Sequence, residues 1–320
     1  MSMAGVIVGS GQFTYEALAA WQQMPEGVSP KDSPAVAVNS RDDVYVMTRN
    51  TAYPVMVFDR DGNYLRTFGE GVFSERTHAL FISPDDSVWC ADDGTHTLTK
   101  WSANDKLLLT IGTPGQPAPK WSGKPFNRPT HAVASPHTGD IFISDGYGNS
   151  HMHKYSAKGE YIKTWGGTGI DAGQFIWPHN VAIDARGRVL VADREAHRVQ
   201  LFDEDGKFLT MWNNIHRPDG MTIGPDGNIY IGELNGMAGP DDGPGLGHRV
   251  SILSPDGALL ARLGDAAEGE GPGQFIAPHG VAVDSRGDIY VGEVSYTIRG
   301  SRMKPPRELR SLSKLRKVGG

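Results

Sequence analysis

Residues 178–202 read PHNVAIDARGRVLVADREAHRVQLF, and this stretch decides the fold. Two apolar runs rich in β-branched residues, 181–183 and 189–191, flank the polar turn 184–187, which is the composition of a tight β-hairpin. A third apolar run at 199–202 follows a second polar segment. The stretch therefore predicts three consecutive antiparallel strands joined by short turns.

The same pattern recurs along the chain, and the recurrence defines a repeat. Each copy opens with a His or Asp before an apolar run, continues through a polar turn, and has a second apolar run that ends in Asp or Glu. The opening residues stand 40 to 60 residues apart, at His78, His131, His179, Asp219 and His279. A divergent first copy begins near Ser33, so we count six copies, each with room for four short strands.

Six such units predict an all-β fold, a six-bladed β-propeller. The predicted blades span roughly residues 33–69, 77–112, 129–166, 178–212, 218–264 and 278–320, within a single domain over residues 1–320. In the last copy only residues 312–318 resemble a third strand. We expect the N-terminal residues 13–23 to supply its fourth strand, which would close the ring and protect its edges.

Charge and composition exclude several classes of partner. Lys and Arg number 31 against 37 Asp and Glu, a net charge of -6, so the chain has no global basic footprint for nucleic acid. No apolar run approaches the length of a membrane span, and the first residues lack the apolar core of a signal peptide. Cys90 is the single cysteine, so no internal disulfide can form. We therefore predict a cytoplasmic protein without nucleic-acid or membrane partners.

The residues that open the copies are expected to meet at one mouth of the propeller channel. Four of them are the imidazoles His78, His131, His179 and His279, the fifth is Asp219, and the first copy has Pro34. Neutral imidazoles favour zinc or another divalent transition metal, and three protein ligands with an open position describe a catalytic site. A lone histidine at such a place is usually satisfied by backbone and water, but four in register favour a metal.

A second set of polar residues stands at or just after the end of the second strand of a copy. The set contains Arg49, Asp93, Tyr147 and Arg194. Two guanidinium groups beside a metal suit the carboxylate of a small substrate, and a tyrosine near cations can act as a base. The arginines could equally pair with Asp92, Asp145 or Asp193 to tie blades together, and spacing alone does not decide. Asp93 and Asp219 are predicted to line the substrate channel.

At these residues a family resemblance emerges. Six segments of the chain resemble the NHL-repeat catalytic core of peptidyl-α-hydroxyglycine α-amidating lyase. They are PTHAVA at 129–134, DGYGNS at 145–150, WG at 165–166, GQF at 173–175, PH at 178–179 and ADRE at 192–195. The likeness extends, more weakly, from about residue 33 to residue 293.

The resemblance implies a function for particular residues. In that family three channel histidines hold a zinc ion, and they map onto His78, His179 and His279. The motif tyrosine maps onto Tyr147, and arginines that match Arg49 and Arg194 handle the substrate. The family's reaction splits a carbinolamide, N–CH(OH)–COOH, into an amide and glyoxylate.

Three departures qualify what the resemblance implies. Gly148 stands where the family has a cysteine, which is consistent with a reducing compartment. Gly280 stands where the family has an aspartate after the third ligand histidine, so the family's structural calcium is not carried over. His131 replaces an aspartate and is a candidate fourth ligand or a hydrogen-bond partner of a metal-bound water. A calcium-dependent lactonase propeller is disfavoured, because such sites use carboxylate and amide oxygens.

Two functions from different classes are carried forward. The first is a metal-dependent lyase or hydrolase that acts on a small carboxylated substrate at the channel mouth. The second is a non-catalytic NHL-repeat propeller that serves as a protein-binding scaffold. Polar, metal-competent residues at one mouth favour the first, whereas an apolar rim around a plugged channel would favour the second.

Overall fold

A computed structural model describes residues 5–18, 20–236, 243 and 245–319. Residue 19 of the predicted N-terminal strand, residues 237–242 and 244 of the predicted fifth blade, and residue 320 lie outside the described residues. Within these ranges the chain forms six antiparallel sheets, and they are the blades of an all-β propeller. The predicted fold class is confirmed.

The strands are, in chain order, β1 (Val6–Ser10), β2 (Phe13–Ala17), β3 (Ala35–Val38), β4 (Val44–Met47), β5 (Val55–Phe58), β6 (Tyr64–Phe68), β7 (Thr77–Ile82), β8 (Val88–Asp92), β9 (Thr97–Trp101), β10 (Leu107–Ile111), β11 (His131–Ala134), β12 (Ile141–Asp145), β13 (His151–Tyr155), β14 (Tyr161–Gly166), β15 (Pro178–Ile183), β16 (Val189–Asp193), β17 (Arg198–Phe202), β18 (Phe208–Trp212), β19 (Pro218–Ile223), β20 (Ile229–Glu233), β21 (Arg249–Leu253), β22 (Leu259–Leu263), β23 (Pro278–Val283), β24 (Ile289–Glu293) and β25 (Leu312–Lys317). Helix is confined to α1 (Ser295–Ile298) and two short 3-10 turns, Arg194–Ala196 and Gly300–Arg302, in the part of the chain that is described. Over the same residues, none of these helices has the length and apolar character to cross a membrane.

One compact unit comprises the described parts of residues 1–50, 55–67 and 219–320. It holds the sheets β3-β4-β5-β6 and β19-β20-β21-β22, together with the five-stranded sheet β1-β2-β25-β24-β23. In this last sheet Tyr15 pairs with Lys317, so the N-terminal segment supplies the fourth strand of the last blade, as predicted.

The strand β1 was not predicted, and it adds a fifth strand to that blade. It forms a hairpin with β2 in which Ser10 pairs with Phe13, leaving a two-residue turn. The first turn residue, Gly11, has a φ of 58°. Glycine adopts this conformation without the steric cost that a Cβ atom would add, which is why the turn closes here.

The other compact unit comprises residues 51–54 and 68–218, and it holds three blades. Their sheets are β7 to β10, β11 to β14 and β15 to β18. The first strand β11 contacts both β7 and β15, so the first strands of these three blades are neighbours. Apolar faces pack between the blades: Phe142 and Met152 of one blade share a core with Val189 and Phe202 of the next.

Candidate active site

Three of the predicted metal ligands are the extra residues of β-bulges. The pairing of β7 with β8 skips from Thr77 to Ala79, so His78 is the unpaired residue, and the same shift occurs at His179 in β15 and at His279 in β23. A bulge breaks the alternation of side chains and re-aims the extra residue. The three histidines are buried, and their candidate ligand nitrogens lie within 4.8 Å of one another, so they form a cluster that could hold a metal ion.

Backbone carbonyl groups set which ring nitrogen of two of these histidines carries the proton. His78 Nδ1 lies 2.6 Å from the carbonyl oxygen of Thr130, and His279 Nδ1 lies 2.7 Å from that of Pro34. A carbonyl oxygen only accepts hydrogen bonds, so each Nδ1 must be the donor. The lone pair is then on Nε2, which is the state in which an imidazole binds a metal. This donor set fits a divalent transition metal such as zinc.

The hydroxyl of Tyr147 contacts two of the three histidines. Its oxygen lies 2.9 Å from His78 Nε2 and 2.9 Å from His179 Nε2. Arg194 Nη1 donates a hydrogen bond to the same oxygen at 3.3 Å. The ring edge also meets Trp177, with ring centroids 5.4 Å apart. A single phenol oxygen thus connects two candidate ligands with a guanidinium group.

Asp145 shapes the loop that presents Tyr147. This buried carboxylate is the last residue of β12, and it accepts hydrogen bonds from the backbone N–H of Asn127 at 2.9 Å and from Asn149 Nδ2 at 2.8 Å. His153 Nε2 lies 3.2 Å from the same carboxylate. These contacts hold both sides of the loop, so the position of the phenol is fixed by a buried polar network.

Arginines surround the phenol ring. The guanidinium carbon of Arg128 lies 4.7 Å from the ring centroid of Tyr147, and that of Arg194 lies 5.5 Å from it. Each is also held by a carboxylate, since Arg128 Nη2 donates to Asp93 at 2.9 Å and Arg194 Nε donates to Glu195 at 2.8 Å. Two guanidinium groups, each anchored by a carboxylate, therefore lie against the ring that carries this hydroxyl.

Glu195 is shared by two arginines. Besides Arg194 it accepts a hydrogen bond from Arg217 Nη2 at 2.6 Å. Burial alone would raise the pKa of Glu195, but the hydrogen bond from Arg217 and the charges of both guanidinium groups lower it. The carboxylate is therefore anionic at neutral pH and keeps both arginines in place.

Arg49 forms an ion pair with an aspartate, which is one of the two roles that the sequence allowed for the arginines. Its Nη1 donates to the buried carboxylate of Asp32 at 3.2 Å and to Thr297 Oγ1 at 2.6 Å. The partner is Asp32 rather than any of the three aspartates considered from the sequence. Burial raises the pKa of Asp32, while Arg49 and hydrogen bonds from Thr297 and Tyr296 oppose that rise.

The remaining predicted residues have separate positions. His131 is not one of the clustered histidines in the described part of the chain, and it pairs regularly with Ser144 without a bulge. Asp219 is buried in β19. Asp93 binds two arginines, with Arg76 Nε at 2.7 Å and Arg128 Nη2 at 2.9 Å.

Sequence reasoning missed the arginines that precede the first strands. Arg76 and Arg217 stand two residues before His78 and Asp219, and Arg128 stands three residues before His131. Trp177 occupies the matching place before His179. This recurrence is visible in the sequence, but it lies just before the strand-opening positions that define the repeat.

Comparisons with known proteins agree with the repeat. Residues 175–202 match the family described as NHL repeat. The chain is 31% identical over 281 residues to NHL repeat-containing protein 3 of Homo sapiens, covering 81% of this chain and 76% of that protein. It is 34% identical over 235 residues to peptidyl-alpha-hydroxyglycine alpha-amidating lyase 1 of Drosophila melanogaster, covering 68% of this chain and 42% of that protein. A streptogramin B lyase structure has a TM-score of 0.62 at 12% identity, covering 97% of this chain and 98% of that one. At this identity the similarity supports the fold only.

Proposed function

Because this chain belongs to the family of NHL-repeat proteins that includes NHL repeat-containing protein 3, and is homologous to amidating lyases, we propose that it is a metal-dependent lyase for a small carboxylated substrate. The observation that carries the proposal is the phenol of Tyr147, which contacts His78, His179 and Arg194 together. The reaction would be that of the amidating lyases, in which a carbinolamide is split into an amide and glyoxylate.

The three clustered histidines would hold the metal, with zinc as the best match to a set of neutral imidazoles. When bound, such an ion acts as a Lewis acid that polarises an oxygen of the substrate. The carbonyl partners of His78 and His279 select the neutral tautomer with its lone pair on Nε2, which is the atom that would bind the ion.

Tyr147 would take the proton of the substrate hydroxyl. As that O–H bond breaks, a C=O bond forms and the C–N bond breaks. The amide nitrogen then receives a proton, which gives the amide and glyoxylate. Arg128 and Arg194 lie against the ring and favour the phenolate that this step requires. The phenol then holds a proton next to the departing nitrogen, and it can return that proton.

Arg194 would bind the substrate carboxylate. Its guanidinium group is held by Glu195 on one side and touches the Tyr147 hydroxyl on the other. A guanidinium fork binds a carboxylate in a bidentate manner and orients it. The bound carboxylate would therefore place the neighbouring hydroxyl group near the phenol. The roles of Arg49, Asp93 and Asp219 in substrate binding stay predictions, as does a cytoplasmic location.

The proposal is tested by metal content and turnover together. Purified protein is loaded with zinc and freed of excess ion. It is then assayed for glyoxylate release from N-acyl-α-hydroxyglycines, for consumption of 2-hydroxy acids and for acid release from small lactones, so that lyase and hydrolase activities are separated. We expect about one zinc ion per chain and glyoxylate release that stops after chelation. The matched control is His137→Ala, since His137 is exposed and not in the cluster. Zinc-loaded protein that turns over none of these compounds would contradict the proposal.

The second candidate is the non-catalytic scaffold. Apolar side chains on outer strands support it, since Leu108 on β10 is 52% exposed and Ile162 on β14 is 45% exposed. Such residues suit a protein partner better than a small substrate. A scaffold needs no metal, so full partner binding by protein that does not retain zinc would favour this reading.

A further inference from the structure

Trp177 contacts both side chains on which the proposed reaction depends. The guanidinium carbon of Arg194 lies 5.0 Å from the centroid of the indole ring. The ring of Tyr147 meets the indole at an interplanar angle of 83°, with centroids 5.4 Å apart. Arg194 is buried and Trp177 is half-buried, and shielding from water strengthens a cation–π contact of this kind. The indole therefore supports the proposed base and the proposed carboxylate-binding residue together.

The backbone of Trp177 is held on both sides by the second strand of its own blade. Its N–H donates to the carboxylate of Asp193, the last residue of β16, at 3.1 Å, and its carbonyl oxygen accepts from the N–H of Arg194 at 3.0 Å. Gly146 lets the loop of the phenol come close to this segment, because a Cβ atom at that glycine would lie 2.2 Å from the carbonyl oxygen of Pro178. The indole is thus attached to a fixed segment, against which that loop packs closely.

Two other blades have the same backbone contact with different side chains. The backbone N–H of Arg49 donates to the carbonyl oxygen of Asp32 at 3.1 Å. That of Asp93 donates to the carbonyl oxygen of Arg76 at 3.3 Å. In both blades the two side chains form an ion pair, at 3.2 and 2.7 Å respectively. A salt bridge is compatible with this position of a blade, so the fold by itself does not require the indole of Trp177.

An indole and a carboxylate hold an arginine in different ways. In the pair of Arg49 with Asp32, a carboxylate oxygen accepts a hydrogen bond from the guanidinium group. An indole attracts the charge through its π face and brings no oxygen that would compete with a substrate carboxylate. We propose that Trp177 is a positioning residue that holds Arg194 for the substrate carboxylate without such competition. This inference rests on the proposed function, because Arg194 is taken there as the residue that binds that carboxylate.

The test replaces the indole with side chains that hold Arg194 differently. Trp177→Phe keeps an aromatic face, Trp177→Leu keeps only an apolar side chain, and Trp177→Asp supplies a carboxylate. The readout is the affinity for N-acetylglycine, an unreactive analogue that has the substrate carboxylate but no hydroxyl group, titrated calorimetrically into zinc-loaded protein. We expect the affinity to fall less than about 3-fold in Trp177→Phe, about 10-fold in Trp177→Leu and about 100-fold in Trp177→Asp.

Arg194→Gln shows whether the indole acts through the guanidinium group. In that background Trp177→Leu should change the affinity by less than about 2-fold, because the partner of the indole is already removed. Trp165→Leu is the matched control, since Trp165 is also half-buried but its ring packs against Phe142 and Phe202. It should leave the affinity unchanged, and circular dichroism should show that every variant is folded.

Three results would refute the positioning role. They are wild-type affinity in folded Trp177→Leu, affinity of Trp177→Asp at or above that of Trp177→Leu, and an equal loss in the Arg194→Gln background. Glyoxylate release from N-acetyl-α-hydroxyglycine separates this inference from the proposed function. Turnover in which Trp177→Leu has the wild-type KM would refute the positioning role and leave the lyase standing. A loss of analogue affinity that requires Arg194, without glyoxylate release by the wild type, would keep the positioning role and refute the lyase.

Discussion

Replacing Tyr147 with Phe removes one oxygen and keeps the ring. The lost oxygen contacts His78 Nε2, His179 Nε2 and Arg194 Nη1 at 2.9, 2.9 and 3.3 Å. The contact of Arg128 with the ring face remains, because it depends on the ring and not on the hydroxyl. The variant therefore isolates the proton-transfer role of the phenol.

The expected loss is in kcat. General acid–base catalysis contributes about 10²–10⁴-fold to a rate. At about 1.36 kcal/mol for each tenfold, this is about 3–5 kcal/mol of transition-state stabilisation. The folded state should lose less, about 1–3 kcal/mol, because the hydrogen bonds lost have net values near 1 kcal/mol each. Zinc content should not fall, since the carbonyl partner of His78 still fixes its tautomer.

The assay measures glyoxylate release under saturating substrate, with zinc content determined on the same sample. Tyr161→Phe is the control, because Tyr161 is 55% exposed on β14 and its hydroxyl contacts only the side chain of Thr164 in the described structure. If Tyr147→Phe keeps zinc and more than a third of the wild-type kcat, the phenol is not the base and the mechanism above is wrong.

Other expected outcomes concern the metal, the pH dependence and the core. His279→Ala should lower the zinc content, measured by elemental analysis, from about one ion per chain to well below half, whereas His131→Ala should retain the ion. Loss of zinc in both variants would show that His131 is a ligand. Burial lowers the pKa of His96 below its ordinary 6.5, so the folded state binds fewer protons than the unfolded state, and stability is lost as the pH falls below about 6.5. Asparagine tolerates the positive φ of 61° at this position, so His96→Asn should fold and should lose less stability than the wild type between pH 7.5 and 5.5. Urea unfolding measures this, and an equal loss in both proteins would contradict it. Phe175→Ala should lower the free energy of unfolding by about 3–5 kcal/mol, because Phe175 is fully buried. Leu108→Ala, on an exposed outer strand, should change the free energy of unfolding by less than about 0.5 kcal/mol. Similar effects of both changes on the urea midpoint would refute this packing argument.

The fold could be predicted from the sequence because each blade repeats one hydrophobic pattern. The turn and strand composition of residues 178–202 is enough to define the unit, and its recurrence gives the number of blades. The strand Val6–Ser10 was missed because it has no counterpart in the other copies. Its signal was local, a two-residue turn with Gly11 at the first position.

The candidate site was only partly predictable, because strand register is not written in a local motif. Thr77-His78 and Thr130-His131 read alike, yet only His78 is the extra residue of a bulge. At the second motif the backbone N–H of Thr130 donates to the carbonyl oxygen of Ser144, the residue that pairs with His131, so Thr130 rather than His131 has the extra place. Which histidines join the cluster therefore depends on hydrogen bonds with a neighbouring strand, and no spacing rule contains them.

The arginines show a second reason why the site exceeds the sequence. Asp93 and Arg128 are 35 residues apart and meet only after two blades have folded. Sharing one carboxylate between two guanidinium groups holds both side chains and limits their rotamer freedom. Arg49, in contrast, is paired with a buried aspartate of its own, so its charge is balanced locally. The guanidinium groups of Arg128 and Arg194 thus reach the ring of Tyr147 through contacts between residues far apart in the chain, and only the fold brings those residues together.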